Sequence, residues 1–164
     1  MIPSISIIIP LYNKERHITT TLDTVWSQTF TDYEVIVIND GSKDDSLEKI
    51  ISAYELEKVN YYFDYRIPCK RIRGVYKSKN RSFKKLTVID KSNGGKADSL
   101  HAGLNVSRNA LVVSIDADSI MEPDALLKMV KPFMEAKDRK VIGAGGVIRI
   151  ANSCEVEGGH ITRI

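Results

Sequence analysis

Cysteine is scarce in this chain and poorly placed for chemistry. Only Cys69 and Cys154 occur, far apart, with no Cys-x-x-Cys pattern and no nearby histidine pair. A zinc site is therefore not expected, and reduced, buried thiols are. The three histidines, His17, His101 and His160, have no ligand spacing and read as surface or core residues. No apolar run approaches the roughly 18 residues of a membrane span, and the first residues lead into a strand without a signal-peptide pattern. The expectation is a soluble, cytoplasmic piece. Repeats and low-complexity tracts are also missing. Gly94-Gly95-Lys96 is not a P-loop, because the glycine spacing and the following Ser or Thr are absent. Acids are nearly missing from one stretch: between Arg66 and Lys91 there are ten Lys or Arg residues and one acid, Asp90.

What remains is ordinary for one globular domain spanning 1–164. Apolar residues make up 43% and charged residues 27%, with a net charge of +3. Ile5 to Ile9 reads as a strand stopped by Pro10, which cannot donate to a ladder. Ile18, Leu22 and Val25 keep helical spacing, and Val35 to Asn39 reads as a second strand. The next helix carries Leu47, Ile50, Ile51 and Tyr54 as its apolar stripe, with Asp44 and Asp45 suited to its first turn. A third strand spans Leu86 to Asp90. The helix after Asn93-Gly94-Gly95 places Ala97, Leu100 and Leu104 on one face. The run Leu111 to Ser119 reads as a strand buried on both faces that ends in Asp116. A helix opened by Pro123 follows, with Leu126, Leu127, Val130 and Phe133 buried and Pro132 expected to kink or end it. Val141 to Ile150 reads as a further strand. Lys58 to Lys85 reads as an irregular basic insert, a length that is usually functional or mobile. The alternation predicts an α/β fold, an open, mostly parallel twisted sheet with helices on both faces.

In such a sheet, ligands bind beyond the carboxyl ends of the strands. Four loops with chemical character fall there: Pro10 to Glu15, Asn39 to Ser42, Asn93 to Lys96, and Asp116-Ala117-Asp118. Tyr12 offers a face on which a base can stack. Asp40, in a tight turn at Gly41, can accept from the imide N–H of uracil. Lys96 and a helix N-terminus can both face phosphate. Asp116 and Asp118 suit a divalent cation shared with phosphates. Taken singly, these are also a rim aromatic, two turns and a solvated strand end; their joint occurrence on successive strands carries the reading. The basic insert could meet anionic lipid headgroups or a phosphorylated substrate. Nucleic acid is not expected there, since most of the aromatics (Tyr61, Tyr62, Phe63, Tyr65) precede the charges.

Ser6 to Glu15, Val37 to Asp44, Asn93 to Asp98 and Ile115 to Ser119 together resemble the nucleotide-binding half of a family 2 inverting glycosyltransferase. The Gly-Gly-Lys-Ala-Asp and Asp-Ala-Asp-Ser segments are similar to the processive, membrane-associated branch of poly-N-acetylglucosamine, cellulose and hyaluronan synthases. The resemblance implies a Rossmann-like GT-A fold, a UDP-sugar donor, Mg²⁺ or Mn²⁺, a glycan or lipid-linked acceptor, and a place at the inner face of the membrane. It implies that Pro10 and Tyr12 line the nucleoside pocket, with Glu15 in the same loop, and that Asp40 holds the uracil. Lys96 would contact the diphosphate, Asp116 the ribose and diphosphate, and Asp118 the metal. The general base of such enzymes, an acid downstream, has no counterpart after Asp118; it is expected beyond Ile164, which would make this chain a donor-binding part that turns over poorly. The alternatives are a non-catalytic nucleotide-sugar-binding module and a sugar-phosphate nucleotidyltransferase. The latter usually carries a Gly-rich basic loop after its first strand, which Pro10-Leu11-Tyr12-Asn13 is not.

Overall fold

The structure, a computed structural model, describes residues 4–137, 140–149, 154–157 and 160–163. Strands β1 (Ile5–Leu11), β2 (Tyr33–Asn39), β3 (Leu56–Val59), β4 (Ile72–Ser78), β5 (Leu86–Lys91) and β6 (Leu111–Ser114) form one sheet in the order β3-β4-β5-β2-β1-β6. The β5-β2-β1-β6 part is parallel, whereas β4 runs antiparallel to both β3 and β5. Helices α1 (Ile18–Trp26), α2 (Ser46–Ala53), α3 (Gly95–Val106) and α4 (Ala125–Glu135) connect and cover it. Strands β7 (Glu155–Glu157) and β8 (His160–Arg163) pair separately.

The Ile-rich run of β1 exists because the strand is covered on both faces, so alternate residues feed two cores. Ile7, Ile9 and Leu11 join Val35, Val37 and Val88 against Ile18, Leu22, Ile50, Leu126 and Val130 of α1, α2 and α4. Ile8, Ile36, Ile38 and Ile89 face the other way, against Ala102 and Val106 of α3. Trp26 stacks on Tyr33 at 6.4 Å between ring centroids and meets Phe83 at 6.5 Å, tying α1 to the end of the basic segment.

Several expectations from the sequence need correction. β1 does not stop at Pro10 but runs through Leu11, with Pro10 in register with Ile38. The run from Leu111 is not buried on both faces. Its strand ends at Ser114 and lies at the sheet edge beside β1 alone, so Val112 is 41% exposed. Lys58 to Lys85 is not irregular throughout, since it holds β4, the second half of β3 and a 3₁₀ turn at Arg81–Phe83. Its apolar positions sit where two antiparallel strands extend the sheet, a pattern diluted by lysines on the solvent side. Residues 141–149 form no strand, and Ile142, Val147 and Ile148 are about nine-tenths exposed; Ile150 lies outside the described residues. On α3 the buried stripe is Ser99, Ala102, Gly103 and Val106, and Ala97 is exposed. Leu127 of α4 is also exposed, and that helix continues past Pro132 to Glu135. Both cysteines are only half-buried.

The stripe of small residues on α3 lets the helix lie close on β1. A Cβ added at Gly103 would come within 2.5 Å of Cγ2 of the buried Ile8. Gly103→Ala should therefore destabilise the chain by about 1–3 kcal/mol, the usual effect of overpacking. Urea unfolding followed by circular dichroism measures it, and an unchanged midpoint would contradict the close approach.

Candidate functional site

The four strand-end loops form a closed ring of contacts at one edge of the sheet. The β1 loop is braced to the β2 loop in both directions. Asn13 N–H donates to Ser42 Oγ at 3.1 Å, and Lys14 N–H to Ser46 Oγ at 3.0 Å. Lys43 N–H donates to Asn13 Oδ1 at 2.8 Å, and Asp45 N–H to Glu15 Oε2 at 3.1 Å. Asn13 takes a positive φ of 52°, which asparagine tolerates better than most residues. The β2 loop reaches α3 through Asp40, which accepts from Gly94 N–H at 2.9 Å and Gly95 N–H at 2.7 Å. Lys96, on the first turn of α3, meets Asp116 at 2.5 Å, and Asp118 returns to the β1 loop through Lys14 at 2.7 Å.

Beneath this ring lies a charged group that sequence reasoning missed. Lys91, the last residue of β5, is fully buried, and its ammonium pairs with Asp40 and, at 2.5 Å, with Asp98. Ser92 carbonyl accepts from it at 2.8 Å. Burial opposes charge on Asp98, but Lys91 and the Lys70 N–H overcome it and hold that carboxyl below the usual carboxylate range. A lysine closing a strand reads as solvated, so the sequence offers no signal for this arrangement. The loop after β6 has a hidden seat as well. Thr21 Oγ1 of α1 donates to the Ala117 carbonyl at 3.0 Å, and Thr24 Oγ1 accepts from Met121 N–H at 3.2 Å. Gln28 bonds the Glu122 carbonyl at 2.7 Å and the Leu126 N–H at 3.0 Å. Thr21 and Thr24 lie one helical turn apart, and Gln28 follows just past the end of α1.

The sequence-selected residues are thus brought to one place, in different states. Tyr12 is 43% exposed at the rim. Pro10 sits within β1, and the Glu15 carboxylate is engaged with the β2 loop. Asp40 is only 3% exposed, with three donors on its carboxylate. Asp116 and Asp118 remain half-exposed, 53% and 41% by side chain. The Lys14 ammonium is the main cause that holds the Asp118 carboxyl below its ordinary range. Among the described residues no group of three or more His, Cys, Asp and Glu side chains could hold an ion unaided. Beside the ring, Arg73 donates to Asp90 through Nε and Nη2, at 3.0 and 2.5 Å, and Asn39 donates to Asp90 at 2.8 Å. This cluster floors a cleft of about 480 Å³. Much of the basic stretch is committed internally in this way: Arg66 caps the carbonyls of Leu104 and Asn105 at the end of α3, and Lys85 lies over the Tyr33 ring.

A mostly parallel sheet with acids, lysines and a helix N-terminus gathered at its carboxyl edge defines an α/β domain with a charged rim. Comparison with known proteins is specific about the kind: residues 6–153 match glycosyl transferase family 2, and the chain belongs to that family. It is 28% identical over 157 residues to poly-beta-1,6-N-acetyl-D-glucosamine synthase of Staphylococcus epidermidis, covering 96% of this chain and 31% of that protein. The chain spans less than a third of the length of the curated relatives it first matches. Among solved structures it resembles the mannosyltransferase PcManGT of Pyrobaculum calidifontis in complex with GDP-Man and Mn²⁺. The TM-score is 0.63 at 23% identity, over 81% of this chain and 33% of that one. TarS 1–349 of S. aureus, in complex with UDP-GlcNAc, gives 0.60 at 22%, over 92% and 39%. The fold is that of the GT-A glycosyltransferases. No helix among the described residues is long and apolar enough to cross a membrane.

Lys91→Met should lower the unfolding free energy by about 3–5 kcal/mol at neutral pH, because it strands buried carboxylates. The pH dependence gives the sign. In the wild type the lowered Asp98 pKa contributes stability above the ordinary carboxylate range, lost as pH falls through the folded-state value. In the variant the stranded carboxylates bind protons more readily folded than unfolded, so mild acidification should narrow the gap between the two proteins. Urea unfolding at pH 7 and pH 5 measures both, and a gap that stays constant or widens would contradict the ionic cluster.

Proposed function

We propose that this chain binds a UDP-sugar together with Mg²⁺ or Mn²⁺ and serves as the donor-binding part of an inverting glycosyltransferase. The observation that carries the reading is the closed ring linking Tyr12, Asp40, Lys96 and Asp118 through their own loops. In it, Tyr12 and Pro10 would line the nucleoside side, and Lys96 with the start of α3 would face the diphosphate. Asp40 orders the Gly94-Gly95 turn, and it would meet uracil through the one lone-pair position its three donors leave. Glu15 holds the two nucleoside-side loops together.

Asp116 and Asp118 fit a divalent cation. They are two half-exposed carboxylates on one turn, each already holding a lysine ammonium. A Mg²⁺ or Mn²⁺ ion needs only one or two carboxylates when phosphates and water supply the remaining ligands. Bound there, it would neutralise charge on the departing diphosphate. The structures of relatives bound to nucleotide sugars support the donor class, and the synthase relatives support a glycan acceptor. The general base expected beyond Ile164 belongs to the same proposal, as do slow turnover by this chain alone and a position at the inner membrane face. Contact with lipid through residues 66–91 would rest on the bases there that the fold leaves uncommitted.

Calorimetric titration with UDP and Mn²⁺ tests the proposal. Binding should require the metal, and Asp118→Ala should abolish that requirement along with most of the affinity. Absence of binding, or binding indifferent to Asp118→Ala, would defeat it.

A further inference from the structure

Lys14 is the residue of the ring that the donor-site reading leaves without a task. Its ammonium sits 2.7 Å from Asp118, and Lys96 does the same for Asp116, so the paired acids are held by two internal cations. The Lys14 backbone is not free to wander: its N–H is bonded to Ser46 Oγ, and both neighbours are braced to the β2 loop. The side chain therefore leaves from a fixed point and bridges β1 to the loop after β6. Both partners are 41% exposed by side chain, so the pair is reachable by solvent and can be exchanged.

We infer that Lys14 is a built-in counter-cation of the donor site, which occupies Asp118 when the site is empty and gives it up when metal and nucleotide arrive together. The inference rests on the donor-site reading above. Charge decides its form. Asp116, Asp118, Lys14 and Lys96 sum to zero, so a divalent ion arriving alone must displace an ammonium and leave the site with excess positive charge. A nucleoside diphosphate sugar brings two negative charges that the ion cancels, and the released Lys14 ammonium then has phosphate oxygens to face. Lys14 is thus a positioning residue that favours the metal–nucleotide pair over bare metal, and that holds the Asp-Ala-Asp turn near the β1 loop beforehand.

The test uses the full chain at low ionic strength, where exposed charges are least screened. Free Mn²⁺ is followed by its electron paramagnetic resonance signal, with and without UDP, in the wild type, Lys14→Met and Lys14→Arg. Lys14→Met should bind Mn²⁺ alone about two- to fivefold more tightly, the range expected from loss of an exposed ion pair. The enhancement of Mn²⁺ affinity by UDP should shrink by a similar factor, and Lys14→Arg should behave as wild type. Unchanged or weaker binding of Mn²⁺ alone to Lys14→Met, with UDP-assisted binding intact in both proteins, overturns the role of Lys14 and leaves the donor site standing. Mn²⁺ bound by neither protein, with or without UDP, overturns the donor site and this inference with it.

Discussion

One buried ammonium organises the working edge of this domain. Lys91 is removed from water and faces two carboxylates from different parts of the chain, Asp40 after β2 and Asp98 in α3. Desolvating a charge of either sign is expensive, and attraction compensates only where the remaining hydrogen-bond positions are filled. Here they are. Asp40 takes the N–H groups of Gly94 and Gly95, Asp98 takes that of Lys70, and Ser92 accepts from the ammonium. Because these groups come from separate segments, satisfying the charges fixes the β2 turn, the start of α3 and the entry to β4 against one another. The position of Lys96 follows from it, since Lys96 is the residue after the two glycines Asp40 holds.

The opposite side of the ring is built from uncharged groups. Thr21 and Thr24 project from one face of α1, with Gln28 just past its end, and they bond the backbone within and just after Asp116-Ala117-Asp118 and at the opening of α4. Ala117 turns into the core at 3% exposed. That inward turn sends its two acidic neighbours outward. Alternation of a small apolar residue with two acids is thus a statement about direction as well as chemistry. The carboxylates stay half-exposed because the residue between them does not.

How much of this was legible in the sequence depended on the kind of burial involved. β1, β2 and β5 announced themselves, since strands covered on both faces read as unbroken apolar runs, and the loops ending them were correctly placed at one edge. Leu111 to Ser114 gave the same signal while lying at the sheet edge, because composition reports apolarity and not which neighbour is present. β3 and β4 were hidden by Lys58, Lys77 and the other bases on their exposed positions, which broke the pattern of an extended sheet. Lys91 had no signature at all. A lysine at a strand end is nearly always solvated, and only the approach of Asp40, distant in sequence, and of Asp98 from the first turn of α3 makes it a core residue. The threonines of α1 were equally silent, since a β-branched polar residue in a helix ordinarily signals nothing beyond modest helix propensity.

These features together bear on how the site would meet its ligand. Loops that carry binding groups are usually the mobile part of an α/β domain. Here the β1 and β2 loops are tied by reciprocal backbone-to-side-chain bonds, and the α3 start is tied to the β2 turn, before anything is bound. Ordering these loops is then part of folding and is not repeated on binding, which leaves more of the contact energy for affinity and orientation. The side chains that would touch an anion or a cation, Tyr12, Lys14, Lys96, Asp116 and Asp118, keep substantial exposure. The division is between a fixed frame and exchangeable charges. A transferase that must hold a donor in line with an attacking hydroxyl needs the frame for geometry and the charges for turnover.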